Sequence, residues 1–256
     1  MVRMSRRSVG IVLLISCCLI ALLISDRNSA LAQKRGRFYY ERRGEVVWEV
    51  PTEQKVIALT FDDGPDPRYT PQILEILKKY HAKATFFVVG SRVEKFPEIA
   101  KREVKEGHEL ANHTYGHPTM TKISAESLRE EIDKAEAVVT TVTGTKPSTF
   151  RPPGGVYNDT VVNTAKTAGY LVVMWSWNQD TRDWSNPGVD KIVDRVLSNV
   201  HNGGIVLFHD MGGDRSQTVS ALEKIMPELV KKGYRFLTVS ELLQIKHGSP
   251  LKITSR

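Results

Sequence analysis

Short apolar runs alternate with amphipathic stretches along most of this chain, and turn residues separate them. Seven runs read as strands, at residues 56–61, 84–89, 108–112, 149–151, 170–174, 204–208 and 235–238. Between them, apolar positions recur at helical spacing. Residues 70–80 place Ile73, Leu74, Ile76 and Leu77 on one stripe, with Pro71 suited to a first turn. Residues 124–143 open on Ser124, and Ser127 is followed three positions on by Glu130; both are helix-start signals. Further helices are predicted at 161–168, 189–200 and 217–231. Strands alternating with helices predict an α/β fold, and no internal repeat or low-complexity tract interrupts it.

The first 32 residues differ from the rest. Arg3, Arg6 and Arg7 precede an uncharged, mostly apolar run from Ser8 to Ser25, and Ala30-Leu31-Ala32 follows as a small-x-small cleavage pattern. The expectation is a signal peptide cleaved after Ala32, with an uncleaved N-terminal anchor as the alternative. The run is at the short edge of what spans a bilayer. Cys17 could open a lipoprotein reading, but the apolar run continues past it to Leu23. Both cysteines, Cys17 and Cys18, lie in this segment, so a mature chain of about 224 residues has no disulfide and no thiolate chemistry. That length suits one barrel-sized domain. Residues 33–52 read as a basic linker with a possible strand at 45–50, residues 53–245 as the folded domain, and 246–256 as a tail.

The formal net charge is +7, of which the first 32 residues hold four arginines and one aspartate. The remainder, 32 basic against 28 acidic side chains, is only +4. Lys34, Arg35, Arg37, Arg42 and Arg43 carry much of it, as a solvated lead-in with weak attraction for an anionic polymer. So modest a charge, without a basic-aromatic motif, disfavours a nucleic-acid partner.

The candidate chemistry sits at the C-terminal ends of the predicted strands, where barrel active sites are built. Thr60-Phe61-Asp62-Asp63-Gly64-Pro65 ends the first strand with two adjacent carboxylates and a sharp turn. Strand alternation would point Asp62 and Asp63 to opposite faces, leaving one free to bind a cation and the other to take a proton. His113-Thr114-Tyr115-Gly116-His117-Pro118 puts two imidazoles four residues apart on a loop. Two imidazoles and one carboxylate make a three-ligand site with an open position, as in hydrolytic zinc enzymes. Phe150-Arg151-Pro152-Pro153-Gly154-Gly155 carries an arginine without a charge partner in its own segment. Asp180-Thr181-Arg182-Asp183-Trp184 follows the fifth strand. The run 203–210 ends in a histidine, His209.

Taken in order, TFDDGP, HTYGHP, RPPGG, DTRDW and LFH resemble the five motifs of the polysaccharide deacetylase family (NodB-homology domain, carbohydrate esterase family 4), across roughly residues 53–245. The resemblance implies a distorted (β/α) barrel of about seven parallel strands in a single domain, and metal-dependent removal of N-acetyl groups from glycans. It implies Asp62 as base, His209 as acid, Asp63, His113 and His117 as metal ligands, Arg151 as the residue orienting the base, and Asp183 as the one tuning the acid. Leu207 would wall the acetyl pocket. One departure stands out: Gly154 occupies the place of the family's tyrosine, keeping its N–H for an oxyanion but losing an aromatic wall that Tyr157 could replace. Trp175, Trp177 and Trp184 could stack on sugar rings. The expected cofactor is Zn2+, with Co2+ or another divalent ion as alternatives. The expected protein is a bacterial monomer, secreted or held at the cell envelope, touching a membrane only through an uncleaved N-terminal segment. Its expected substrate is peptidoglycan N-acetylglucosamine. Chitin or chitooligosaccharide, an acetyl-xylan-type O-acetyl ester, or a silent glycan-binding role are the alternatives.

Overall fold

The computed structural model describes residues 35–246, so the expected signal segment and the 247–256 tail lie outside the described residues. The chain divides into two units, Met1–Tyr39 and Tyr40–Arg256. Of the first, residues 35–39 are described, and they begin a short helix, α1 (Arg37–Arg42).

In the second unit, strands and helices alternate as the hydrophobic pattern predicts. The elements are β1 (Val46–Val47), β2 (Val56–Asp62), α2 (Thr70–Lys79), β3 (Ala84–Val88), α3 (Gly90–Lys95), α4 (Pro97–Lys105), β4 (Glu109–Asn112) and α5 (Ala125–Thr143). They continue with β5 (Thr149–Phe150), α6 (Asp159–Thr167), β6 (Leu171–Val173), α7 (Val189–Asn199), β7 (Gly204–His209), α8 (Ser216–Lys231), β8 (Arg235–Phe236) and α9 (Val239–Lys246). Seven parallel strands run in the order β1-β6-β5-β4-β3-β2-β7, and β8 pairs with the first two residues of β2. The edge strand β1 forms within the stretch read as a linker, at the possible strand there. Helices α1, α3, α4 and α9 are additions to the sequence reading, α1 falling in the stretch read as a linker. Both α3 and α4 are short, and α4 buries only Ala100 and Glu103, so no apolar stripe announces it.

The central strand shows how the barrel is filled. All seven residues of β2 are buried, as a strand covered on both faces requires. Ile57, Leu59 and Phe61 pack outward among the helices, with Ile73, Leu74 and Leu77 of α2. Val56 and Ala58 face the barrel interior, with Phe87, Ala111, Val173 and Ile205. Parallel register sets Phe61 beside Phe86 on β3 and Phe208 on β7. Their rings stack at 5.1 and 5.5 Å, which locks the three strands in one register.

The helices follow the same economy. In α5, Leu128, Ile132, Ala135 and Val139 form the single buried stripe. Ser124 caps its N-terminus by accepting from the Ser127 N–H at 3.1 Å, and Gly144 ends it at φ 74°. Among the described residues, no helix is long and apolar enough to cross a membrane.

The sheet does not close strand on strand. The segment after β6 crosses to β7 instead: Ser176 N–H donates to Ile205 O at 3.0 Å, and Leu207 N–H to Gln179 O at 3.0 Å. This bridging segment leads directly into the loop that carries Asp183.

Candidate active site

Because every strand is parallel, their C-terminal ends gather at one end of the barrel, and the motif residues gather with them. A cavity of about 290 Å³ there is lined by Asp62, Asp63, His113, His117, Gly154, Leu207 and His209, with Trp175, Asp180 and Trp184 at its walls.

Asp62 closes the interior face of β2, two residues beyond Thr60, and lies in register with His209 at the end of β7. Strand alternation would turn Asp63 away. Instead both carboxylates reach one cavity, because Asp63 leaves the strand in a left-handed conformation, at φ 80°. The opposite-face expectation therefore fails at Asp63, where extended geometry has already ended.

His113 and His117 sit on the loop after β4. The Thr114 hydroxyl donates to His113 O at 2.5 Å and accepts the His117 N–H at 3.1 Å. Glu131 of α5 accepts the N–H groups of Tyr115 and Gly116. Asp63 Oδ1 lies 3.4 Å from His113 Nε2 and 3.2 Å from His117 Nε2. The three donor atoms all fall within 4.8 Å of one another. His113 Nδ1 is 2.7 Å from the Arg151 carbonyl, which fixes that nitrogen as the protonated one and leaves the Nε2 lone pair free for a cation. Burial alone would raise the Asp63 carboxyl, but the His113 and His117 imidazoles beside it outweigh burial and hold it well below the usual carboxylate range. Asp63 in turn raises the His117 imidazole. Such a donor set, two imidazoles and an ionised carboxylate, fits a divalent ion.

Arg151 finds its missing partner in space. It is fully buried, and its guanidinium donates to Asp62 Oδ1 at 2.7 Å, Thr60 Oγ1 at 2.8 Å, Val173 O at 3.1 Å and Met174 O at 2.8 Å. The group stacks 3.9 Å over the Phe87 ring. Paired and hydrogen-bonded in this way, the buried charge is tolerable; removing either partner would cost about 3–5 kcal/mol. Asp62 Oδ2 remains directed away from this contact, 3.9 Å from His113 Nε2.

Across the cavity, Asp183 is buried beneath His209. Its Oδ1 lies 2.7 Å from His209 Nδ1, and its Oδ2 accepts the His209 backbone N–H at 2.8 Å and the Thr218 hydroxyl at 2.8 Å. Burial would lower the His209 pKa, but the hydrogen bond and charge of Asp183, and then the charges of Asp62 and Asp63, carry it up to about 9. Asp183 is itself held below its usual value: burial raises it, and His209 more than compensates.

Gly154 and Gly155 adopt left-handed backbones, at φ 63° and 65°. A Cβ on Gly155 would sit 2.5 Å from Trp175 Cη2, so the indole packs flush against this turn and supplies the aromatic wall. Tyr157 does not line the cavity; it stands in an adjoining groove, edge-on to Trp48 at 5.2 Å. Trp184 lines the cavity and is 54% exposed. Several supports carried no local signal: Thr60 under Arg151, Thr218 under Asp183, and Asp210. The last is fully buried, bonded to the Thr70 hydroxyl at 2.5 Å, and burial pushes its carboxyl up to about 7.

Comparison with known proteins points to one family. A family model described as polysaccharide deacetylase matches residues 49–173, a span that includes Asp62, Asp63, His113, His117 and Arg151. A peptidoglycan-N-acetylglucosamine deacetylase of Bacillus cereus is 55% identical, over 81% of this chain and 97% of that protein. The peptidoglycan-N-acetylmuramic acid deacetylase PdaC of Bacillus subtilis is 40% identical over 77% of this chain, which spans 40% of its length. The solved Bc1960 peptidoglycan N-acetylglucosamine deacetylase superposes with a TM-score of 0.78 at 37% identity, covering 82% of this chain and 98% of that one. By this family match and these relatives, this chain belongs to the polysaccharide deacetylase family.

Proposed function

We propose that this protein removes the N-acetyl group from N-acetylglucosamine residues of peptidoglycan, releasing acetate and leaving a free amine. The observation that carries the chemistry is the division of labour within one cavity: a carboxylate between two imidazoles, a second carboxylate on a buried arginine, and a histidine backed by a buried aspartate. The 55% identity to a peptidoglycan-N-acetylglucosamine deacetylase supports the substrate.

Asp63, His113 and His117 are the residues that would hold a divalent cation, and their nitrogen and oxygen donors favour zinc. Bound there, the ion supplies Lewis acidity toward water and toward an amide carbonyl. Asp62 is the base. Arg151 occupies its Oδ1, so Oδ2 is the atom that accepts the proton of the attacking water. The Gly154 N–H donates to the oxyanion as it develops. His209 is the acid: Asp183 holds its Nδ1, and Nε2 delivers the proton to the leaving nitrogen. Water adds to the carbonyl carbon, the C–N bond breaks, and the amine leaves with the proton from His209. Export through residues 1–32, cleavage after Ala32 and action as a monomer belong to the same reading and rest on sequence.

Mass spectrometry of muropeptides incubated with the purified zinc-loaded protein tests this reading. Loss of a single acetyl from the glucosamine ring, with stoichiometric acetate, is the expected result. Acetate released from acetylated xylan alone, with muropeptides untouched, would replace the amidase reading with an esterase.

A further inference from the structure

The catalytic cavity opens past Gly155, Trp175 and Asp180 into a second groove of about 660 Å³. A polymeric substrate needs such a continuation: one sugar presents its acetyl group in the cavity while its neighbour lies beyond. The bridging segment after β6 furnishes this groove with Trp177, which is 76% exposed, and with Arg182. An indole that open to water has no role in the core, but it offers a face for a sugar ring.

Arg182 is the more telling residue. It is exposed, and among the described residues its guanidinium has no hydrogen bond or ion pair. Its backbone is left-handed, at φ 51°, as are those of Asn178 and Asn186 on the same segment, at 67° and 50°. Asparagine accepts this conformation readily, whereas arginine pays roughly 1 kcal/mol for it. Asp180, the one acid among the described residues that line the groove, turns its Oδ1 to the Arg182 backbone N–H at 2.9 Å. Arg195 adds a second positive charge to the lining, steadied by the Thr181 carbonyl at 2.7 Å. The groove is therefore aromatic and cationic, and one of its cations is held in a strained backbone with no partner of its own.

We propose that this groove is a subsite for the neighbouring sugar of the strand, and that Arg182 reads a carboxylate on that sugar's substituent. The proposal rests on the peptidoglycan reading and deepens it. In peptidoglycan, N-acetylglucosamine alternates with a sugar bearing a lactyl ether. Its carboxylate is either free or extended by a peptide that carries carboxylates of its own. Chitooligosaccharides have neither. Arg182 thus selects an acidic strand over a neutral one.

The test compares kcat/KM for acetate release from four glycans: strands with free lactyl groups, strands with stem peptides, the same strands with carboxyls reduced to alcohols, and a neutral N-acetylglucosamine oligomer. Affinities read from tryptophan fluorescence accompany the rates. The wild-type protein is expected to favour carboxylate-bearing strands over reduced ones by roughly three- to tenfold, the worth of a charge-assisted contact at an open site. The preference should narrow at high salt. Arg182→Gln should bring the ratio close to one, and Arg182→Lys should keep part of it. Arg182→Asn should do the same as Gln while melting no lower than the wild type, because asparagine fits the left-handed backbone. Whichever strand, lactyl or peptide-bearing, shows the larger preference identifies the carboxylate that is read. A wild-type ratio of one, or an unchanged ratio in Arg182→Gln, overturns the subsite and leaves the deacetylase reading standing. No acetate from any of the four overturns both.

Discussion

Replacing Asp183 with asparagine removes one buried charge and almost no volume. The amide oxygen can still accept from the His209 backbone N–H and the Thr218 hydroxyl, both at 2.8 Å in the native contact. The amide nitrogen then faces His209 Nδ1, and an N–H cannot accept the proton that the imidazolium must donate there. In the native protein the His209 pKa rises from 6.5 to about 9, equivalent to about 3 kcal/mol in favour of the charged ring. Asp183 is the largest favourable contributor, and Asp62 and Asp63 follow. A cation seated on Asp63 would offset the last of these, so the alkaline limb of kcat/KM is expected at or somewhat below 9. The sign is fixed by the direction of the shift: the acid form persists below the raised pKa and is lost as pH rises through it. Without Asp183, burial is left to act, and the limb should fall to 6.5 or lower. With the limb at 6.5, the protonated fraction at pH 8 would drop roughly thirtyfold, whereas at pH 5.5 about nine-tenths of the ring would stay protonated and the loss would be slight. The assay is the pH profile of acetate release by both proteins at equal metal loading, with melting curves to confirm folding. An alkaline limb that stays in place, or a loss uniform across pH, would refute His209 as the acid that Asp183 sustains.

The two adjacent carboxylates should separate by metal content. Asp62→Asn is expected to retain the cation and lose about two to four orders of magnitude in kcat, the worth of a positioned base, whereas Asp63→Asn should lose metal affinity first and regain part of its activity in excess zinc. Zinc rescue of the Asp62 variant alone would exchange their roles. At the turn beside them, a Cβ on Gly64 would overlap the buried Asp210 carboxylate. Gly64→Ala should therefore cost about 1–3 kcal/mol and lower Tm by roughly 3–10 °C in thermal unfolding, and an unshifted Tm would show that Asp210 is free to move.

Local pattern alone determined a good deal. The apolar runs and helical stripes were enough for the α/β alternation, because burial on both faces of β2 and on one stripe of α5 leaves a direct trace in residue type. The motif residues were likewise legible, since carboxylates and imidazoles at strand ends have few structural reasons to be there. Helices α3 and α4 were not, because neither is long enough or apolar enough on one side to show a period. Pairings across the barrel were beyond the sequence altogether. Arg151 and Asp62 are 89 residues apart, and Asp183 and His209 are 26 apart. Strand alternation misdirected Asp63, because its orientation depends on a left-handed backbone at φ 80° that residue type does not announce. Tyr157 and Trp175 stand 18 positions apart, and only packing against the Gly154–Gly155 turn decides which of them walls the cavity. Sequence carries the chemistry of single residues and the periods of single elements; which groups share a charge, a wall or a proton is decided where the strands converge.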